Sequence, residues 1–215
     1  MRLRNVKNKE KIMAESKYLI KNPEDYRGNW KKYFGNNNPI HIEIGMGKGN
    51  FIIENAIKNP DINFIGIEKY DSVMAKALPK IPVDIKIPNL CMIRLDALNI
   101  ETIFNKEIDV IYLNFSDPWP KNRHEERRLT STSFLKKYDN LFKKDATIIQ
   151  KTDNRLLFEF SLIELSKYGY IFEKLSLDYH NSGEENIIMT EYEKKFSSQG
   201  QNIYYLYAVK PMSNK

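Results

Sequence analysis

The chain has one cysteine in 215 residues, Cys91, so no internal disulfide can form and a multi-cysteine zinc site is excluded. Flanked by Leu90, Met92 and Ile93, that cysteine reads as a small buried hydrophobe, and a reducing cytoplasm is its simplest setting. No apolar run approaches the ~20 residues that span a bilayer, so no membrane association is expected. The stretch from Met1 to Lys11 is basic and lacks an apolar h-region, so it does not read as a secretory signal. Histidine is scarce, with three in all. His124 has no paired ligand at helical spacing, His41 and His180 carry no signal, and no metal is expected. Internal repeats and low-complexity tracts are also missing. What remains has one-domain length, an ordinary apolar fraction of 41% and plentiful charge.

That charge is uneven. Ten of the 34 Lys/Arg but only four of the 28 acids fall in residues 1–34, a surplus equal to the whole chain's net +6. A basic arm on a neutral remainder suggests a polyanion partner, although an AT-rich genome would also enrich lysine. The spacing predicts an arm over residues 1–38, with some helical character, and one α/β domain over 39–215. Strands are expected at Ile40–Ile44, Asn63–Glu68, Leu90–Leu95, Asp109–Phe115 and Ala146–Thr152. Helices fall at Asn50–Asn59, Tyr70–Leu78, Ser131–Phe142 and Arg155–Tyr168. Strands alternating with helices make right-handed βαβ units and a mostly parallel sheet. Two late strands, Ile171–Leu177 and Ile203–Val209, have only a long polar segment between them and predict an antiparallel pair at one edge.

The first strand runs into Ile42-Glu43-Ile44-Gly45-Met46-Gly47-Lys48-Gly49-Asn50. Alternate glycines allow a tight turn at a strand's C-terminal end, where such sheets bind ligands. A dinucleotide-binding loop would carry Gly or Ala at position 50, and Asn stands there. The carboxylate of Glu43 suits a cationic group better than a pyrophosphate. Glu68, nineteen residues beyond Gly49, closes the second strand, where it can accept from ribose hydroxyls. Asp96 closes the third, within reach of an adenine amino group. Singly these are solvated strand-end acids; together they describe an adenosine with a cationic tail and no phosphate, which is S-adenosyl-L-methionine.

The fourth strand runs into Asn114-Phe-Ser-Asp-Pro-Trp-Pro-Lys-Asn-Arg-His-Glu-Glu-Arg-Arg128. Pro118 and Pro120 stiffen the loop that carries Asp117 and Trp119. A flat aromatic beside a carboxylate, followed by basic residues, suits a nucleobase and its phosphates; the alternative is a solvated turn. Lys151-Thr-Asp153-Asn154 and Thr190-Glu-Tyr-Glu193 are two further polar sets, each readable as a cap or turn, with Asp153 a fair N-cap. Tyr204, Tyr205 and Tyr207 read as edge-strand packing. A nicotinamide dehydrogenase and a non-catalytic RNA-binding protein are the alternatives these residues leave open.

These motifs are similar to those of the bacterial tRNA (guanine-N7)-methyltransferases of the TrmB type, which modify the variable-loop guanine at tRNA position 46. The resemblance rests on Met1-Arg-Leu-Arg4, Glu-Ile-Gly-x-Gly-Lys-Gly at 43–49, Ile-Gly-Ile-Glu at 65–68 and Asp-Ala at 96–97. It extends through Phe-Ser-Asp-Pro-Trp-Pro-Lys at 115–121, Lys-Thr-Asp-Asn at 151–154 and Thr-Glu-Tyr-Glu-x-Lys-Phe at 190–196. Val6-Lys-Asn-Lys9 stands where many members have Pro-Trp, and the proline-rich Leu78–Ile87 region is also unlike most members. The resemblance implies a Rossmann-like class I S-adenosylmethionine-dependent methyltransferase fold in a cytoplasmic monomer or homodimer, with S-adenosyl-L-homocysteine as product. Glu43, Gly45, Gly47, Glu68, Asp96 and Asp117 are then expected at the cofactor, with Asp117 also the catalytic candidate. Lys121, Asp153, Thr190, Glu191, Tyr192 and Glu193 are expected to bind substrate. Asn122, Arg123, His124, Glu125, Glu126, Arg127 and Arg128 are expected to contact RNA.

Overall fold

Strands that are covered on both faces need apolar side chains on both, and the central strands have them. In the computed structural model, which describes residues 6–211, β3 (Asn63–Glu68) is buried at every position. Its neighbours are β2 (Ile40–Ile44) and β4 (Leu90–Arg94), both parallel to it. Alternate residues feed two cores. Ile42, Ile44, Ile65, Ile67, Cys91 and Ile93 face one, whereas Phe64, Leu90 and Met92 face the other. Helices α3 (Asn50–Lys58) and α4 (Asp71–Ala77) cover the second core with Ile52, Ile53, Met74 and Ala77. Phe134 and Leu135 of α5 (Thr132–Tyr138) and Phe158 and Leu165 of α6 (Arg155–Lys167) cover the first.

The sheet is completed by β1 (Leu19–Ile20), β5 (Ile108–Asn114), β6 (Phe142–Thr152), β7 (Ile171–Ser176) and β8 (Tyr204–Lys210), in the order β1-β4-β3-β2-β5-β6-β8-β7. The expected antiparallel pair is present: β8 runs against both β6 and β7, and β7 forms the edge. Strand order reverses between β2 and β5, and crevices at such switch points, at the carboxyl ends of the strands, are where ligands bind.

Residues 1–5 of the expected arm lie outside the described residues. From α1 (Lys9–Glu15) onward, the segment packs onto the domain, with α1 against α4 and the 3-10 turn that follows α4. Leu19–Ile20 pairs with Met92 and Ile93 as β1, a strand too short to show as a period in the sequence. In α2 (Trp30–Phe34), Trp30 has no exposed surface and its indole N–H donates to Ile103 O at 2.8 Å. The Glu107 carboxylate accepts from the Gly28 and Trp30 amides at 2.8 and 3.1 Å. Other boundaries shift slightly. Chain expected to end a helix at Phe142 instead opens β6, because α5 stops at Tyr138. The cap of α6 is Asn154, whose side chain accepts from Leu157 N–H, and not Asp153. Within the late polar segment, Glu191–Ser197 forms a helix, α7.

Candidate active site at the carboxyl ends of the central strands

The glycine loop follows β2. Gly45, Gly47 and Gly49 have φ of 76, 58 and 78°, a region that side chains with a Cβ rarely enter. The turn bends back onto β3, where Ile67 O accepts from the Gly45 and Met46 amides. A Cβ at Gly49 would also meet Ala77 Cβ at 3.2 Å.

Three acids surround this loop in unequal states. Glu43 is 1% exposed, and its Oε1 accepts from Asn114 Nδ2 at 2.8 Å. Burial pushes its pKa up to about 8, against the Asn114 hydrogen bond and the charge of Lys151. Its Oε2 and Asn114 Oδ1 are buried without a hydrogen-bond partner among the described residues. Glu68 accepts from Gly47 N–H at 3.1 Å and Tyr70 N–H at 2.9 Å, so it also ties the loop down. Desolvation raises its pKa in spite of those bonds. Asp96 is half-exposed. Burial pushes its pKa up, but the Lys69 ammonium at 2.7 Å and the Leu98 amide outweigh burial and hold it below the usual range.

The loop after β5 faces these acids across the switch point. Phe115 (φ 51°) and Trp119 (φ 43°) both adopt left-handed backbone, a strained geometry that clusters at functional sites. The Phe115 amide donates to Lys151 O at 2.8 Å. Asp117 is exposed. Lys121 leads into a 3-10 turn over Asn122–Arg127, in which Asn122, Arg123, Glu125, Glu126 and Arg127 are exposed and His124 is half-buried. The Arg127 guanidinium lies 4.9 Å over the Trp119 ring, and His124 meets that ring edge-on. Arg128, expected with the RNA contacts, is directed inward instead. It donates through Nε to Pro118 O and through Nη2 to Trp119 O, both at 3.1 Å, and its guanidinium sits over Phe160. Both bonds reach back to the loop's own backbone, so Arg128 holds the loop's shape.

Helix α7 brings in the late motif. Thr190 and Glu193 form a reciprocal capping box, each bonding the other's amide at 2.9 and 3.2 Å. Glu191 pairs with Lys48 of the glycine loop at 2.8 Å and with Lys80 at 3.1 Å. Tyr192 donates to Asp153 Oδ2 at 3.0 Å, and its ring lies 5.1 Å from Phe115. Glu193, expected among the substrate-binding residues, is fully buried and pairs with Lys151 Nζ at 2.6 Å. His180 Nε2 stands 3.2 Å from its other oxygen, a neighbour that the sequence did not reveal. The Thr-x-x-Glu spacing of a capping box was the available signal for α7. A groove of about 410 Å³ lined by Asn50, Ile53, Lys80, Pro82 and Glu191 flanks α3, and none of Glu43, Glu68, Asp96 or Asp117 lines it. Among the described residues no group of three His, Cys, Asp or Glu could hold a metal, and no helix is long and apolar enough to cross a membrane.

Solved structures with the same architecture include the aminoglycoside resistance methyltransferase NpmB1, with TM-score 0.62 and 16% identity over 86% of this chain and 93% of that one. Another is the 16S rRNA (adenine(1408)-N(1))-methyltransferase from Catenulisporales acidiphilia, solved as a mutant with cosubstrate SAM. It gives TM-score 0.63 and 14% identity over 90% and 93%. At such identities the likeness is one of fold. A family model described as "Putative methyltransferase" matches residues 37–206. Fold and family together define a methyltransferase. The tRNA (guanine-N(7)-)-methyltransferase of Bacillus cytotoxicus is 54% identical over 91% of this chain and 90% of its own length. That of Lysinibacillus sphaericus is 51% identical over 96% of each. The chain belongs to the tRNA (guanine-N(7)-)-methyltransferase family.

Proposed function

We propose that this protein transfers a methyl group from S-adenosylmethionine to N7 of a guanine in tRNA, in the cytoplasm, with the variable-loop guanine at tRNA position 46 as target. The observation that carries this reading is the pairing of two unlike halves across one switch point. Glu43, Glu68 and Asp96 surround the glycine loop on one side, and Trp119 with exposed Arg123 and Arg127 stands on the other. The buried, unpartnered Glu43 Oε2 fits the cofactor's ammonium, Glu68 fits the ribose hydroxyls, and Asp96 fits the adenine amine. Bound there, S-adenosylmethionine supplies an electrophilic methyl on a sulfonium.

Guanine N7 has an in-plane lone pair and no proton, so the protein needs no general base and has mainly to align the reacting atoms. The left-handed turns at Phe115 and Trp119, held by Lys151 O and Arg128, set the height of the loop on which a base would rest. Asp117 is exposed on that loop and is assigned the N–H edge of the guanine, where its charge favours positive charge arriving on the purine. Lys121, Asp153, Thr190, Glu191 and Tyr192 are assigned to the substrate, with Tyr192 joined to Asp153 and to the ring of Phe115. Arg123 and Arg127 contact phosphates, within a segment that includes Asn122, His124, Glu125 and Glu126. Glu193 and Arg128 serve from inside.

The test is unmodified tRNA with labelled cofactor, followed by borohydride and aniline, which cut at 7-methylguanosine. One cut in the variable loop is expected, with no methyl uptake by tRNA carrying 7-deazaguanine there. Label without a cut, or uptake by the deaza substrate, would refute N7 as the acceptor.

A further inference from the structure

Lys151 lies at the junction of the two substrate-side segments, and the reading above gives its side chain no task. It is the penultimate residue of β6 and 3% exposed. Burial lowers its pKa, against the opposing pull of Glu193. Its Nζ donates to Glu193 Oε2 at 2.6 Å and to Ile188 O at 2.9 Å. The Phe51 and Tyr179 rings lie 5.0 and 5.9 Å from the ammonium. Its carbonyl holds the Phe115 amide, where the reaction loop turns left-handed. Two segments from distant parts of the chain, 115–119 and 188–193, therefore share one anchor. They also touch each other, through Phe115 and Tyr192.

We propose that Lys151 is a positioning residue, which sets the relative placement of the reaction loop and the first turn of α7 so that a base lies correctly between them. The proposal rests on the methyl transfer proposed above. A reaction that depends on alignment is slowed by small displacements, so a loosened anchor should appear in turnover at saturation more than in binding. The neighbouring groups allow this role to be separated from stability. A buried ion pair can often be replaced by a neutral pair at little cost, whereas removing one partner alone is strongly destabilising.

The decisive variant is Lys151→Met/Glu193→Gln, which removes both charges and keeps a residue able to complete the capping box. Its unfolding midpoint should stay within ~4 °C of the parent, near the scale of a 1 kcal/mol change. Cofactor affinity should change by less than about threefold, while kcat on tRNA falls about 100-fold and KM moves far less. Amide exchange should quicken at 115–119 and 188–193 while β2 and β3 keep their protection. A folded double variant with kcat within about threefold of the parent would overturn the proposal. Lys151→Arg covers the case in which the neutral pair does not fold, because it keeps the charge but replaces a point donor by a fork. About tenfold loss of kcat is expected there, and parent-like turnover would again refute the role. If the parent itself transfers no methyl to tRNA, the functional reading fails separately. Exchange then decides alone, and unchanged protection of both segments rejects the anchor.

Discussion

Binding of the cofactor should release a proton from Glu43. With its pKa pushed up to about 8 by burial, the Glu43 carboxyl carries a proton at pH 7 in the free protein. A cationic group placed beside the unpartnered Oε2 favours the ionised form and pulls that pKa down. At pH 7 the free protein is then about 0.9 protonated at this site, falling to about 0.5 at pH 8, and that fraction is what binding can release. Calorimetry in buffers of different ionisation enthalpy reads the number directly as a slope. Apparent affinity should rise with pH over the same range, by at most about tenfold per unit. Free-protein stability follows with a definite sign. Between the ordinary value of 4.5 and about 8, the folded chain holds a proton that the unfolded chain has lost. The stability contributed by this group therefore falls as pH rises through that window, by up to about 1.4 kcal/mol per unit. Glu43→Gln should remove that contribution, while the opposite one of His41, whose pKa burial lowers to about 4, remains. Identical binding enthalpies in all buffers would show that Glu43 does not change its protonation state, and the assignment of the cofactor's ammonium to it would be wrong.

Glu68→Ala should weaken S-adenosylmethionine by about 2–3 kcal/mol, the scale for hydrogen bonds to a charged acceptor; unchanged affinity in calorimetry would remove it from the site. Arg123→Ala and Arg127→Ala should each flatten the log–log salt dependence of tRNA binding by roughly 0.7–0.9. A parent-like slope would mean that neither touches phosphate. Arg128→Ala should leave that slope alone and slow methylation, since its donors serve Pro118 O and Trp119 O; a flattened slope would place it on the RNA instead. Trp30→Ala should cost about 3–5 kcal/mol in urea unfolding, as for a large buried aromatic. A loss below 1 kcal/mol would show that residues before 38 fold apart from the sheet.

Local regularities carried much of this molecule in plain view. Period and length located the five central strands, because each carries apolar residues over most of its covered length, and Gly45, Gly47 and Gly49 marked the turn, because only glycine enters that backbone region cheaply. Strand-end acids at 43, 68 and 96 could be read as one ligand site once the strands were known to be parallel neighbours. The direction of individual side chains was decided elsewhere. Arg127 and Arg128 are adjacent and alike, yet one lies over Trp119 at the surface and the other is buried beneath the loop, a difference set by which carbonyls and which ring lie below. Glu191 and Glu193 are likewise two residues apart, and a helical turn directs one to Lys48 and Lys80 and the other to Lys151. β1, a two-residue strand, exists only because β4 offers an open edge. Sequence alone determined the sheet, the glycine turn and the chemical types gathered at its end, since those follow from periodicity and backbone sterics. Only tertiary packing decided which charges face a ligand and which hold the loops, because burial and partners come from residues far apart in the chain.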